Sequence, residues 1–551
     1  MYKKHKGAYG WLFQNTKPII GSIALLTILG VVISYVTVMF AMASRNLLDV
    51  ATGAQNRDFV QCVVHLAILL VLEVALESFY NIYAIRVSSK NKNRLQKNLF
   101  SSVMKSDYAS LGQYHSGELI NRLTSDINII NSNIIDIIPA FVMLITSVVF
   151  SFVAMARLDG YLALICLAMG PLVVITSVLY GRKMKRLHKS CQESDGKTRS
   201  FMQECIQNIL VIKAFGNEKK VSRHTGLLQN INYALNMKRG YISIVVNLLY
   251  YLAMTAAYYF AVSWCAYKIS IGIMTVGTFT AVVQLVNSMQ APFKEISGTV
   301  SQFFATCASA ERIMEIETIA PDEISDEKLS DFAGINLSGV DFAYDGEYIL
   351  KNASFNLTKG DVAVICGPSG QGKSTLFKLL MGIFSPADGK MTLETNEGIR
   401  PLGAATRSLF AYVPQGNMIV SGSIRDNIAF FSDADDEEII NAAKCACIYD
   451  YIASLPEGFD TELGEGGLGL SEGQIQRIAV ARALCSSAPI VLLDEATSSL
   501  DDETEAQILC NIKNLSDKTV VIITHRKAAL DIATAKFMLK EKQIEDVTEI
   551  E

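Results

Sequence analysis

The sequence predicts a multidomain membrane protein: an all-α region of six spans with long cytoplasmic helical extensions, followed by an α/β domain. Three observations carry that prediction. Apolar runs long enough to cross a bilayer crowd the chain before about residue 320. Beyond that point short β-type runs alternate with helical segments, the pattern of a mainly parallel sheet with helices between its strands. Charge divides at the same place. Residues 321–551 hold 19 Lys+Arg and 37 Asp+Glu, a net of −18; subtracted from the whole-chain 49 and 54, this leaves 30 and 17 before it, a net of +13.

Six spans follow in order: 17–43, 59–86, 133–155, 160–180, 241–267 and 274–300. The connections after the first, third and fifth are short. Those after the second and fourth are long, polar and helical in period, so they extend the spans tens of Å beyond the bilayer at about 1.5 Å per residue. Both are basic, through Arg86, Lys90, Lys92, Arg94 and Lys97 in one and Arg182, Lys183, Lys185, Arg186 and Lys189 in the other. Positive charge marks the cytoplasmic side, and Lys3, Lys4 and Lys6 place the N-terminus there too. The first apolar run is too long for a signal h-region and reads as a span. Trp11 and Phe13 suggest an amphipathic patch at the membrane interface, and Trp264 an outer aromatic belt.

The eleven Cys are scattered, and Cys445-Ala446-Cys447 has the wrong spacing for a zinc knuckle. Reduced packing thiols in a cytosolic domain are expected. An acidic second half excludes nucleic acid as a partner. Within the chain, 1–320 is the membrane domain, 321–335 an acidic polar linker, and 336–551 the α/β domain.

That second domain carries the chemistry. Gly367-Pro368-Ser369-Gly370-Gln371-Gly372-Lys373-Ser374, with Thr375 next, follows the apolar run Val362–Cys366 and opens a helical stretch. This is the strand–loop–helix context of a phosphate loop: backbone N–H groups wrap a β-phosphate, Lys373 reaches the β- and γ-phosphates, and Ser374 ligates Mg²⁺. Ile490–Leu493 is a buried strand that ends in Asp494, suited to the Mg²⁺ shell, and Glu495, suited to polarise the attacking water. His525 ends the strand Val520–Thr524, and Gln415 follows Val413-Pro414, placed to reach Mg²⁺ and water. Tyr344 suits adenine stacking or plain core packing. Leu470-Ser471-Glu472-Gly473-Gln474 opens another helix with a Ser and a Gly, a second anion-binding helix start. One domain uses one such start per nucleotide, so Ser471, Gly473 and Gln474 are offered to ATP held by a second copy.

In this order the motifs resemble the ATP-binding cassette family, and the likeness covers essentially the whole chain. Six spans ahead of the cassette, with Gly117–Thr124 and Ile212–Glu218 in the two long loops, are similar to an exporter-type half-transporter. The resemblance implies an α/β phosphate-loop ATPase domain, ATP and Mg²⁺, and a second half-transporter, identical or different. It implies that short helices near those two loop segments dock on cassettes, that Tyr344 stacks on adenine, and that Thr461–Gly467 contacts the docking helices. It implies ATP-driven export of a peptide, a drug-like amphiphile or a lipid from the cell membrane. An importer of a metal chelate and a non-pumping regulator or channel are the alternatives. Glu472 departs from the family's usual Gly, and a carboxylate there adds repulsion toward ATP. In span two, His65, Glu73 and Glu77 share one stripe. They line an acidic cavity for a cationic substrate or pair with a polar group such as Gln284 or Asn287.

Overall fold

The computed structural model describes residues 7–322, 329, 332–344, 346–396, 398–416, 419–464, 467, 469–515 and 517–548. Lys3, Lys4 and Lys6, part of the linker and part of the loop Thr461–Gly467 lie outside the described residues, as do the side chains of Arg182, Lys183, Lys185, Lys189 and Tyr250. The chain divides into two compact units. One holds residues 1–103 and 115–318; the other holds 104–114 and 319–551.

The first unit is helical throughout. A short α1 (Gly7–Thr16) leads into α2 (Ile20–Ala51), and α3 (Phe59–Lys105) follows. Beyond the short α4 (Tyr108–Leu111) and α5 (Ser116–Asn121) come α6 (Ile127–Leu158), α7 (Gly160–Gln207), the short α8 (Ile209–Ala214), α9 (Glu218–Ser270) and α10 (Val276–Glu317). Six long helices, α2, α3, α6, α7, α9 and α10, hold most of the residues of the six stretches expected to span. Four are long and apolar enough to cross a membrane over their described residues: the α1–α2 segment, α3, the segment ending with α6, and α9. At 47, 48 and 53 residues, α3, α7 and α9 reach about 70–80 Å, well past a bilayer of about 30 Å. The long polar connections are thus helix, as their period indicated.

Side-chain size and period explain the packing. α2 rests on α6 and α10 through Val38, Ala41, Met155, Leu285, Val286 and Met289, all buried. α3 buries only Val87, Asn91, Leu95, Leu99 and Val103, spaced by four, in its polar half; its apolar half leaves Val60, Val64, Ile68 and Val71 bare. Asp159 caps α7 by accepting from Tyr161 and Leu162 N–H, and it receives Lys268 Nζ at 2.5 Å and Trp264 Nε1 at 3.0 Å. Trp264 therefore spends its polar edge on an ion-paired carboxylate.

Two expectations change here. Trp11 is not a surface anchor: it is 2% exposed and donates to Glu317 Oε2 at 2.7 Å, leaving only Phe13 in the open. Glu73 finds its partner on α2, not at Gln284 or Asn287: Thr37 Oγ1 donates to it at 2.7 Å. Glu77 and His65 are exposed.

The second unit has two main sheets. An antiparallel sheet runs β2 (Glu347–Thr358), β1 (Gly334–Tyr344), β4 (Asp388–Thr395), β5 (Gly398–Pro401). A six-stranded sheet runs β12 (Gln543–Asp546), β11 (Ala535–Lys540), β3 (Val362–Cys366), β10 (Thr519–Ile523), β9 (Ile490–Asp494), β6 (Phe410–Val413), parallel except at β12. A two-residue pair joins β7 (Gly422–Ser423) to β8 (Glu462–Leu463). The parallel strands form continuous apolar runs, whereas the long antiparallel strands alternate buried and exposed residues. Helices α11 (Lys373–Leu380), α12 (Ile424–Ala429), α13 (Asp436–Cys445), α14 (Tyr449–Ser454), α15 (Glu472–Cys485), α16 (Asp502–Lys513) and α17 (Lys527–Ile532) complete the unit. Strands β3, β9 and β10 are buried on both faces, Val364 and Leu493 toward α12–α16, Ile365 and Leu492 toward α11 and the antiparallel sheet. All eleven Cys are free thiols.

Candidate functional site

Parallel strands β3, β9 and β10 release their chemical residues at their C-terminal edge, where an open α/β sheet offers its crevice. From β3 the chain turns through Gly367–Gly372 into α11. Gly372 precedes the helix at φ +98°, and a Cβ there would stand 2.4 Å from Ile349 Cγ2, so no other residue fits. No side chain caps α11, which leaves its first N–H groups directed at the loop.

Lys373, 6% exposed, is folded back over that loop. Its ammonium donates to Gly367 O at 2.5 Å and Pro368 O at 3.2 Å and lies 3.0 Å from His525 Nε2. An ammonium has no lone pair, so in that contact the imidazole nitrogen is the acceptor. Glu495 Oε1 lies 3.9 Å from the same ring nitrogen, and Gln415 Nε2 donates to Glu495 Oε2 at 2.7 Å. Glu495 is held at φ +50° by an N–H bond to Ile523 O, a left-handed backbone that carries strain in a non-glycine residue. Asp494 is 1% exposed, and burial raises its pKa against hydrogen bonds from Ser374 and Tyr412 that act the other way. The structure thus gathers Lys373, Ser374, Asp494, Glu495, Gln415 and His525 at one sheet edge.

These donors fit Mg²⁺. A buried carboxylate hydrogen-bonded to a serine hydroxyl, beside a glutamine amide, is an all-oxygen set, and a divalent cation would offset the burial that raises the Asp494 pKa. Tyr344 is 39% exposed and stands edge-on to Phe342 at 4.9 Å and to Phe384 at 5.5 Å. It is anchored by core packing on one side and open on the other. Phe384 also meets Tyr108 of α4, at 6.4 Å.

Ser471 and Gln474 lie elsewhere. Ser471 caps α15: its hydroxyl accepts from Gln474 N–H at 3.3 Å, and Gln474 Oε1 accepts from Ser471 N–H at 2.8 Å. Among the described residues no hydrogen bond joins Ser471, Gly473 or Gln474 to the phosphate loop of the same chain. Glu472 is exposed.

Several residues at the site were not singled out from the sequence. Tyr412 Oη donates to Asp494 Oδ2 at 3.2 Å, and burial followed by that carboxylate raises its phenol pKa. Gln476 on α15 donates to Ser498 and Ser499 hydroxyls and accepts from Ser499 N–H. Arg526, next to His525, grips the same turn through Ser498 O and Leu500 O and pairs with buried Glu505 at 2.8 Å. A period-2 count on β6 would have put Tyr412 beside β9; nothing local marks Gln476 or Arg526.

A phosphate loop, a strand ending in Asp-Glu and a histidine at the neighbouring strand end define an ATP hydrolase, here fused to membrane-spanning helices. Residues 23–293 match the ABC transporter transmembrane region family and residues 350–498 the ABC transporter family. The chain is 30% identical over 529 residues to the ATP-dependent lipid A-core flippase of Desulfotalea psychrophila, covering 93% of this chain and 91% of that one. It is 32% identical over 471 residues to ABC transporter B family member 1 of Dictyostelium discoideum, covering 82% of this chain but spanning about half, 51%, of that relative. A bacterial Atm1-family ABC exporter with ATP bound shares the fold with a TM-score of 0.77 at 23% identity, over 96% of this chain and 94% of that one. The chain belongs to the ABC transporter family. It is an exporter-type half-transporter, a multi-pass membrane protein that binds ATP and couples its hydrolysis to transport.

Proposed function

We propose that two copies of this chain form a homodimeric pump that exports an amphiphile from the cytoplasmic side of the cell membrane. The observation that carries the reading is that both halves of a composite ATP site are complete in one chain. Lys373, Ser374, Asp494, Glu495, Gln415 and His525 form one half, and the α15 N-terminus with Ser471 and Gly473 forms the other. The bare apolar half of α3 supplies surface for a second copy and for lipid. Five relatives named as ATP-dependent lipid A-core flippases support an amphiphilic cargo.

Lys373 exchanges its loop carbonyls for the β- and γ-phosphates when ATP enters. Ser374, Asp494 and Gln415 would hold Mg²⁺, which would supply charge neutralisation on the phosphates. Glu495 takes the proton of the attacking water; Gln415 holds the other carboxylate oxygen and fixes its direction. His525 lies beside Lys373 at the same edge, within reach of the γ-phosphate. Tyr344 presents its open face to adenine. With the basic segments of the two long loops inside, the cassette and the N-terminus are cytoplasmic.

The test uses inverted membrane vesicles loaded outside with a fluorescent cationic amphiphile or a fluorescent neutral phospholipid. ATP should drive accumulation of at least one probe, and Glu495→Gln should abolish it while retaining ATP, with turnover down about 10²–10⁴-fold. Accumulation in right-side-out vesicles instead would establish import, and unchanged hydrolysis by Glu495→Gln would remove Glu495 as the base.

A further inference from the structure

The acidic polar linker that leads into the cassette begins at Pro321, and its first residues belong to the cassette unit. Ser106 and Pro321 form an antiparallel bridge, flanked by Asp107 N–H to Ala320 O at 2.9 Å and Asp322 N–H to Lys105 O at 2.8 Å. The polar end of α3, which is continuous with the second span, is thus paired backbone to backbone with the linker.

The linker is in turn tied to the phosphate-loop helix. Asp322, its side chain 14% exposed, pairs with Arg407 Nη1 at 2.8 Å. The same guanidinium donates through Nε to Met381 O at 3.1 Å and through Nη2 to Gly382 O at 2.9 Å. Those carbonyls lie just past the C-terminal end of α11, where the helix dipole favours a cation. Gly382 makes the turn at φ +61°, and a Cβ there would stand 2.2 Å from Gly403, just ahead of the 3₁₀ turn Ala404–Leu409 that carries Arg407. A lysine could not replace Arg407, because one planar fork satisfies three acceptors in fixed directions.

We propose that Asp322 and Arg407 are positioning residues that link the second span to the phosphate-loop helix within one chain: α3, the Lys105–Asp107 bridge, Asp322, Arg407, and the C-terminal end of α11, whose N-terminal end holds ATP. A shift of α11 on nucleotide binding reaches α3 through this joint, in addition to any contact made by short loop helices. The inference rests on the ATP-driven pump proposed above.

The experiment measures backbone hydrogen exchange by mass spectrometry on the full-length transporter in lipid nanodiscs, with and without AMP-PNP and Mg²⁺. Wild type should gain protection at the phosphate loop and change exchange at residues 95–107. Asp322→Ala leaves both Arg407–carbonyl bonds in place. It should keep phosphate-loop protection and KM for ATP within about two-fold, while the response at 95–107 and kcat fall about five-fold or more. Asp322→Glu, which keeps the carboxylate, should restore both. Retained phosphate-loop protection also certifies that the variant is folded. A response at 95–107 in Asp322→Ala equal to wild type would overturn the proposal. Absence of phosphate-loop protection in wild type would instead overturn the ATP-site reading.

Discussion

The chain carries two helix N-termini suited to a phosphate, and they are prepared in opposite ways. At α11 the residue before the helix is Gly372, which has no side chain to offer, so the first N–H groups stay available and Lys373 waits on carbonyls it can leave. At α15 the position is taken by Ser471, and Ser471 and Gln474 satisfy one another's N–H groups in a reciprocal cap. The first terminus is poised for a ligand within its own chain. The second satisfies its own first N–H groups without one. Gln476 and Arg526 connect the two: α15 is bonded to the Ser498–Leu500 turn, and that turn to the residue beside His525.

The largest effect that would break this contrast is at Lys373. Replacing it with Ala removes a buried ammonium from the phosphate position, a loss of about 2–5 kcal/mol for truncating one partner of a buried charge pair. Affinity for ATP, measured by equilibrium binding to purified transporter, should fall by about 30-fold or more. Near-wild-type affinity would mean that α11 is not the primary site.

Ser471→Ala should sharpen the contrast from the other side. It removes a cap worth about 1 kcal/mol of helix stability and the hydroxyl proposed above to meet a nucleotide held by a second copy. Binding of ATP to the chain's own phosphate loop should stay within about two-fold, while turnover falls about ten-fold, the loss of one hydrogen bond to a charged group. A parallel loss of binding and turnover would erase the distinction between the termini.

These termini were legible in the sequence because phosphate chemistry dictates local patterns: glycines at fixed offsets, a lysine after them, a strand ending in acids. The parallel strands were legible because burial on both faces leaves continuous apolar runs. What escaped is what needs the folded partner. Tyr412 acts through β9, Arg407 through carbonyls at the end of α11, and Trp11 through Glu317, 306 positions away. Trp11 near a basic N-terminus has the composition of a membrane anchor, and only packing on α10 turns it inward. The backbone pairing at Pro321 likewise leaves no trace in the composition of the acidic linker.

The smallest expected effect lies at Glu472, and it separates two physical terms at one residue. Its carboxylate is exposed on the first turn of α15, where the helix dipole favours an anion by about 0.3–1 kcal/mol. Toward a γ-phosphate from the partner copy it is repulsive, and at about 5–6 Å in water two unit charges interact by about 0.7–0.8 kcal/mol. Glu472→Gln removes the charge while keeping a good helix former. The ATP concentration for half-maximal turnover should fall about three-fold, and the shift should shrink as salt screens the repulsion. Glu472→Gly should show the same shift with a lower melting temperature, because glycine costs the helix about 1 kcal/mol. If Gln leaves the ATP requirement unchanged at low salt, the carboxylate does not face the shared nucleotide, and α15 loses its electrostatic distinction from α11.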